Sequence, residues 1–496
     1  MATHIDTVKG RNAPVSDASR LQGTFVVGAG APLICSGACR HQCLTADSPF
    51  FQTGPDFPWT LYRSDTIMAF HLVRSLPSAA RLAAWLGLVI GSLIAGGRAQ
   101  ADALPVEERM SSAIVADFEF DWGRDGVYCA ECNFGHGNGQ ASFIDRRGQL
   151  WVGAIDPDSG VFLPPTLRGA LVDTRVPFLT EYGNGATWMV SARGSELVYA
   201  RYLDGLPETP ENAVVTIASL QDGAWTSAPV PDCEGCIVPK GTFFPGDAVP
   251  RMTYGKAGGY TVYARDAQFP STERRIPFID PYQGLSLRWV DGTHDVIFAA
   301  PAPPDEQGVV YTQVFRYDTD QILGQPEQLT FDPSFKRMAF MWRAPEFKGS
   351  MVFFTVADGN RMDFYRRMPD EQGQLRWTRY HSLDGPADMP YIGGSPEAFS
   401  YNGRSWIIIA LRSNPEWNDF TKPTQLAITG IDPGAPSFRL LTNDTTQPRW
   451  RSDPEYFITS RGAFVYYTRV IPAKPDSIPL HQGIWRMDLN LGPPQH

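Results

Sequence analysis

The sequence predicts an all-β protein, a single β-propeller of about seven blades, or six or five if some units are irregular, and three observations carry that prediction. A glycine returns nine residues after another in one short pattern, at Gly139…Gly148, Gly185…Gly194 and Gly394…Gly403, with looser copies ending at Gly258, Gly292, Gly349 and Gly462. Each of these turns precedes an apolar run rich in β-branched and aromatic residues, such as Leu150-Trp-Val, Thr261-Val-Tyr, Val352-Phe-Phe, Ile407-Ile-Ile and Val465-Tyr-Tyr. Helical periodicity sustained over three turns is missing after residue 110. The 46 glycines, 42 prolines and 12% aromatics fit many short strands joined by tight turns.

The chain of 496 residues opens with a polar, unpatterned stretch, 1–67, holding Cys35, Cys39 and Cys43. Residues 68–101 read as a secretory signal peptide: Met68, then Arg74 and Arg81, then the apolar run from Leu82 to Ala95, then a small-x-small site at Ala99-Gln100-Ala101. That apolar run falls short of the ~20 residues a membrane-spanning helix needs. The expectations are cleavage before Asp102, a periplasmic or secreted mature protein, no membrane span after cleavage, and a translation start at Met68 that would leave 1–67 mis-assigned. A real extension over 1–67 and an uncleaved anchor are the competing readings. The net charge of −10, with no long basic run in the body, disfavours a nucleic-acid partner.

Past the leader, the cysteines are Cys129, Cys132, Cys233 and Cys236, two Cys-x-x-Cys pairs. An oxidising compartment favours two local disulfides stapling loops on one face. A tetrahedral zinc site uses the same spacing, and free thiols are the third reading. Neither pair is followed by His, which excludes covalent haem attachment.

Residues 105–496 are expected to form the propeller. Successive turns at 148, 194, 258, 292, 349, 403 and 462 give intervals of 46, 64, 34, 57, 54 and 59, against the 40–50 residues of a four-stranded blade. The 34-residue interval is short. Stretches starting at Gln313, Asp363, Gln425 and Gly483 read as third strands. Those starting at Gln328, Arg376 and Phe438 read as outer strands. The last unit has no outer strand of its own after Leu489, and Ser112–Phe120 is expected to supply it and close the ring.

In such a ring the segments leading into each unit converge on one mouth. They bring His136, Asn138, Asn184, Trp188, Arg251, Arg288, Trp342 and Arg343 as ligand-binding candidates, together with Asp247, Glu397, Asp453 and Glu455. Amides and carboxylates bind hydroxyls, and indoles stack on sugar faces. Glu397, in Gly394-Ser-Pro-Glu, is the candidate general acid, with Asp247 or Asp453 as a second carboxylate. The bland alternative for each acid is a turn former bonded to its own backbone. His294 falls in a hairpin turn, an exposed position, and His381 reads as structural. No cofactor or metal site is predicted, although His136 among glycines leaves a bound metal, and with it a lyase or oxidoreductase, as an alternative.

The hairpins Pro396-Glu-Ala-Phe…Gly403…Ile407 and Pro454-Glu-Tyr-Phe…Gly462…Val465 resemble the inner hairpins of two groups. One is the exported TolB-like propellers, which imply a non-catalytic binding or scaffold role. The other is the family 43 glycoside hydrolases, five-bladed enzymes with a carboxylate base, a tuning carboxylate and a Glu acid. In the second resemblance Glu397 matches the acid and Asp247 the tuning carboxylate, while His136-Gly-Asn-Gly-Gln stands where that family places its Asp base. The expected function is an exported propeller that binds, and in the enzymatic case hydrolyses, a carbohydrate or similar polar polymer at its axial mouth. A polar small molecule or glycan is the expected partner.

Overall fold

A computed structural model describes residues 104–121, 139–163, 169–177, 185–256, 262–276, 287–290, 292–321, 324–415, 421–434, 438–444, 449–471 and 480–495. Its strands form seven separate antiparallel sheets, the blades of one propeller.

The alternation of apolar runs and Gly turns produces each blade as a meander. Blade 2 runs outward through Ala186–Ser191, Gly194–Tyr202, Ala213–Gln221 and Ala224–Glu234. Blade 3 follows with Cys236–Gly241, Arg251–Lys256, Val262–Asp266 and Arg274–Arg275, and blade 4 with Arg288–Trp289, Asp295–Pro301, Thr312–Asp318 and Glu327–Gln328. Blade 5 holds Lys336–Ala344, Ser350–Ala357, Arg361–Pro369 and Leu375–Asp384. Blade 6 holds Tyr391–Tyr401, Arg404–Arg412, Thr424–Gly430 and Arg439–Leu440. The hairpin after Tyr401 turns on Asn402 at φ 50° and Gly403 at φ 71°, the pair of left-handed residues that matches the strand twist.

Blades 1 and 7 close the ring. Blade 7 is Trp450–Thr459, Gly462–Ile471 and Leu480–Asp488, with Glu108–Arg109 as its outer strand, paired antiparallel to Arg486 and Trp485. The expectation that Ser112–Phe120 closes the ring is corrected. The closing strand comes earlier, and Val115–Phe120 is the innermost strand of blade 1, followed by Gln140–Asp145, Leu150–Ile155 and two short strands that both pair with Leu150–Ile155, Phe162–Leu163 and Ala170–Asp173. The physical reason is burial: nearly every residue of Val115–Phe120 is buried on both faces, as an inner strand requires and an outer strand does not. Glu107 locks the closure. It accepts hydrogen bonds from Arg451, from the Tyr467 hydroxyl at 2.7 Å and from Arg469 at 2.8 Å.

The core lies between blades. Trp188, Leu197 and Tyr199 of blade 2 pack on Ile144, Leu150 and Val152 of blade 1. Comparable clusters fill the gaps between blades 2 and 3, 3 and 4, 4 and 5, and 5 and 6. One larger cluster joins blades 6, 7 and 1 through Phe399, Phe457, Tyr466, Phe120 and Phe143. Burying each such large side chain contributes about 1.5–3 kcal/mol. Neighbouring blades touch in order around the ring, and the inner strand of blade 7 meets that of blade 1. Among the described residues, no helix is long and apolar enough to cross a membrane.

Candidate functional site

The innermost strands line the axis, and their side chains there are set by a repeated defect. In blades 3, 5, 6 and 7 the pairing of the inner strand slips at one place: between Ile237 and Lys240, Arg337 and Phe340, Gly393 and Glu397, and Ser452 and Glu455. Each slip is a β-bulge, which re-aims the residue that follows it. Three of the bulges hold a residue at positive φ: Val238 at 51°, Met338 at 55° and Asp453 at 53°. For a β-branched residue such as Val238 that conformation is strained, and strain of this kind concentrates at functional sites. The residues presented after the bulges are Lys240, Phe340, Glu397 and Glu455.

Two tryptophan bonds fix the level of the other strands. Trp188 Nε1 donates to the Glu119 carbonyl at 3.2 Å, and Trp289 Nε1 donates to the Lys240 carbonyl at 3.1 Å. Both bonds reach from an inner strand to the inner strand before it. The residues preceding each indole, Thr187 and Arg288, therefore occupy equivalent places. Gly185 allows blade 2 to approach: at φ 78°, a Cβ there would lie 2.1 Å from Asp117 Oδ2.

The result is a charged cluster contributed by five blades. Glu119 comes from blade 1, Lys240 from blade 3, Arg288 from blade 4, Glu397 from blade 6, and Asp453 and Glu455 from blade 7. Arg288 donates to Glu397 Oε1 at 2.8 Å and lies over the Phe340 ring, 4.9 Å from its centre. Burial raises the Glu119 carboxyl well above the usual range, and Asp453, Glu397 and Asp117 raise it further against the pull of Arg288. Burial also lifts Glu455 well above its ordinary value, with Glu119, Glu397 and Asp453 adding to the effect. Glu397 is raised by burial, with Arg288 holding it back. Burial, with Arg288 beside it, brings the Lys240 ammonium down to about 8. Carboxyls pushed toward their protonated form, some more strongly than others, are suited to acid–base work and to accepting and donating hydrogen bonds with a hydroxylated ligand.

The structure brings together Glu397, Asp453, Glu455 and Arg288 from the set the sequence singled out. It does not bring Asp247 or Arg251 to them. Asp247, in the loop after the inner strand of blade 3, faces His294 Nε2 at 3.0 Å and Arg251 Nε at 3.2 Å. His294 Nδ1 faces Asp320 at 2.7 Å. This second cluster borders a cavity of about 110 Å³ lined by Arg251, Asp266, Arg274, Trp289 and Asp320 among others. The exposure expected of His294 is not found: its side chain is only 16% exposed, held between the two carboxylates and against Phe244. Trp188 and Trp342 are packed between blades at 1% and 7% exposure, and the Trp342 N–H donates to Ser405, so neither presents an open ring face. Arg343 is exposed at the hairpin end of its strand, where it reaches the Gly349 carbonyl. Cys233 and Cys236 form a disulfide that joins the outer strand of blade 2 to the inner strand of blade 3. His136, Asn138, Asn184, Cys129, Cys132 and the segments 1–67 and 68–101 lie outside the described residues. Among the described residues, no group of three or more His, Cys, Asp or Glu side chains is arranged to hold a metal ion.

Glu119 and Lys240 were missed by the sequence reading. A signal for Lys240 existed: Val238-Pro239-Lys240 repeats the order of Ser395-Pro396-Glu397 and Asp453-Pro454-Glu455.

No protein-family model and no curated protein matches the sequence. Solved structures that resemble it include the β-propeller domain of Cps50 (Swd1) from Myceliophteria thermophila, 10% identical, with a TM-score of 0.43 over 77% of this chain and 99% of that one. YCF48 bound to D1 peptide is 9% identical, with a TM-score of 0.41 over 78% of this chain and 97% of that one. The β-propeller domain of the Trilobed protease from Pyrococcus furiosus is 11% identical, with a TM-score of 0.37 over 71% and 91%. At such identities and superpositions the likeness carries no functional argument, and the fold assignment rests on this chain's own seven sheets.

Proposed function

We propose that the protein is an exported binding propeller that takes a polar, hydroxyl-rich ligand, a carbohydrate or the end of a similar polymer, into its axial channel. The observation that carries this reading is the convergence of Glu119, Lys240, Arg288, Glu397, Asp453 and Glu455, from strands more than 300 residues apart in sequence, on one charged cluster. Carboxyls, an ammonium and a guanidinium together offer the donors and acceptors that fix hydroxyl groups. Export is supported by the leader pattern at 68–101 and by the Cys233–Cys236 disulfide.

Hydrolysis is the second reading, favoured by the raised carboxyls. Within it the acid moves from Glu397, tied to Arg288, to Glu119 or Glu455, with Asp453 as the second carboxylate. A glycan binding screen and a polysaccharide hydrolysis panel, each run on the wild type and on Glu397→Gln, test both readings. The expected result is a ligand whose affinity falls at least tenfold in Glu397→Gln while the thermal unfolding curve keeps its shape. A ligand located elsewhere on the surface, with unchanged affinity in that variant, removes the axial site. Cleavage that survives both Glu119→Gln and Glu455→Gln removes the hydrolytic reading alone.

A further inference from the structure

The cavity of about 110 Å³ in the seam between blades 3 and 4 carries opposite charges that do not close on each other. The register of blade 3 builds one wall of it. Arg251 pairs with Asp266, and Ala264 pairs with Arg274. Cross-strand partners share a face and side chains alternate along a strand, so Arg251, Asp266, Ala264 and Arg274 lie on one face. The other wall comes from blade 4, through Trp289 at the end of its inner strand and Asp320 just past its third strand. Ala264 keeps the space hollow, because a single methyl group stands between Asp266 and Arg274.

Asp266 and Arg274 are diagonal neighbours on that face, at a spacing of about 7–8 Å that long side chains can bridge. Among the described residues they form no ion pair with each other. Arg274 donates through Nη1 alone, to the main-chain carbonyls of Thr319 at 2.8 Å and Asp320 at 3.4 Å. Its Nε and Nη2 make no hydrogen bond among the described residues, and the Asp266 carboxyl accepts none. Arg251, directly across from Asp266, lies 3.6 Å from it, beyond a hydrogen bond, because it is drawn to Asp247 at 3.2 Å and to Asp320 at 2.5 Å. Opposite charges within reach elsewhere on the same blade do close, as Lys256 does on Glu273 at 2.7 Å. One guanidinium edge and one carboxylate are thus open side by side, in a space with room for a few water-sized groups.

The ligand chemistry follows from that pair. A simple carboxylate would bond Arg274 and meet repulsion from Asp266. A simple amine would bond Asp266 and meet repulsion from Arg274. A molecule carrying both charges on neighbouring atoms bonds both, and the Nε/Nη2 edge of a guanidinium matches the two oxygens of a carboxylate. The Trp289 ring, fixed by its bond to the Lys240 carbonyl at 3.1 Å, supplies an apolar wall. The small volume excludes an oligomer.

We propose that this cavity binds a free α-amino acid with a small side chain, its carboxylate on Arg274, its ammonium on Asp266 and its side chain against Trp289. The site is separate from the axial channel and does not depend on what the channel binds.

The test is calorimetric titration of the full chain at pH 7 with glycine, L-alanine and L-serine, and with acetate and methylamine as the two halves of the ligand. At least one of the amino acids is expected to bind saturably at one site per chain, and acetate and methylamine at least tenfold more weakly. Arg274→Gln and Asp266→Asn are each expected to weaken that binding at least tenfold, with unfolding midpoints measured for both. Asp266→Asn decides alone if Arg274→Gln, which also loses its bonds to blade 4, fails to fold. Saturable binding by none of the three amino acids overturns the proposal. Acetate or methylamine binding as tightly as the amino acid overturns the assignment of a doubly charged ligand, and unchanged affinity in a folded Asp266→Asn overturns the site.

Discussion

Two lysines on inner strands of this propeller, one buried and one half-buried, are treated in opposite ways. Lys336, at the start of the inner strand of blade 5, is held by two aspartates, and one of these, Asp363, also accepts from Arg361 at 2.8 Å and from the Ser382 hydroxyl at 2.7 Å. Lys240, on the inner strand of blade 3, has acids in electrostatic range but no hydrogen bond to any of them among the described residues. The electrostatic signatures differ accordingly. Despite burial, the Asp363 carboxyl is brought down to about 2 by Arg361, Lys336 and Ser382. At the axis Lys240 falls and the carboxyls rise, so each group is pushed toward its neutral form. One cluster is built to hold strands together. The other holds ionisable groups together at a cost to stability, as the proposed binding site would require.

The sharpest way to break this contrast is to remove a member of each cluster. Lys336→Ala leaves Asp332 and Asp363 without their shared cation inside the protein. Breaking a buried pair in this way costs about 3–5 kcal/mol, which urea unfolding would register as a clear fall in midpoint. Glu107→Gln should cost less, about 1–3 kcal/mol, because Arg451 retains Asp444 while the closing strand loses its charged anchor. If Lys336→Ala proved harmless in the same experiment, the division between a structural and a functional cluster would fail.

The dependence on pH should separate the two clusters by sign. Asp363 titrates lower in the folded than in the unfolded protein, so its contribution is present above the usual carboxylate range and is lost as pH falls from there through about 2. Glu119 and Glu455 titrate higher in the folded protein. Their contribution is present below the ordinary glutamate value near 4.3 and is lost as pH rises through their elevated values. Stability measured against pH should therefore climb out of strong acid and then sag as pH rises through the elevated values of the axial carboxyls. A profile that rises without any later decline would contradict the raised axial carboxyls.

How much of this was legible in the sequence depended on where the blades were taken to begin. Glycine turns at 194, 292, 349, 403 and 462 do close the first hairpins of blades 2, 4, 5, 6 and 7. The turn at 148 and the one placed at 258 lie one strand later, between second and third strands, which is why the intervals of 64 and 34 were uneven. The real first hairpin of blade 3 spans Gly241 to Arg251, without a Gly-x-apolar signature. That shift of one strand hid Glu119 and Lys240, since Ser112–Phe120 was assigned to the closing strand and Cys236–Gly241 to no strand. It also put Asp247 among the axial residues, when it belongs to the loop on the far side of its strand. Glu397 and Glu455 were legible because the order Pro-Glu followed by an aromatic two residues later repeats in blades 6 and 7. Val238 and Pro239 break the alternation of the blade 3 strand, and a proline argues against a central strand unless a bulge accommodates it. The closing strand, two residues long, carries no pattern at all; burial of Glu107 against Arg451 and Tyr467 fixes it.

The smallest effect on stability is also the most diagnostic. Glu455→Gln keeps the shape of the side chain and removes a group that three neighbouring carboxyls repel. A residue retained for the fold would be missed when changed. Glu455 has no hydrogen bond to lose among the described residues, and Arg288 keeps its bond to Glu397. The substitution should therefore shift the unfolding free energy by no more than about 1 kcal/mol, in the direction of greater stability as pH rises above the ordinary glutamate range. The sag in the stability profile at rising pH should become shallower in the same variant. A loss of several kcal/mol instead, comparable with Lys336→Ala, would place Glu455 with the structural cluster and leave the axis without its strongest sign of a ligand.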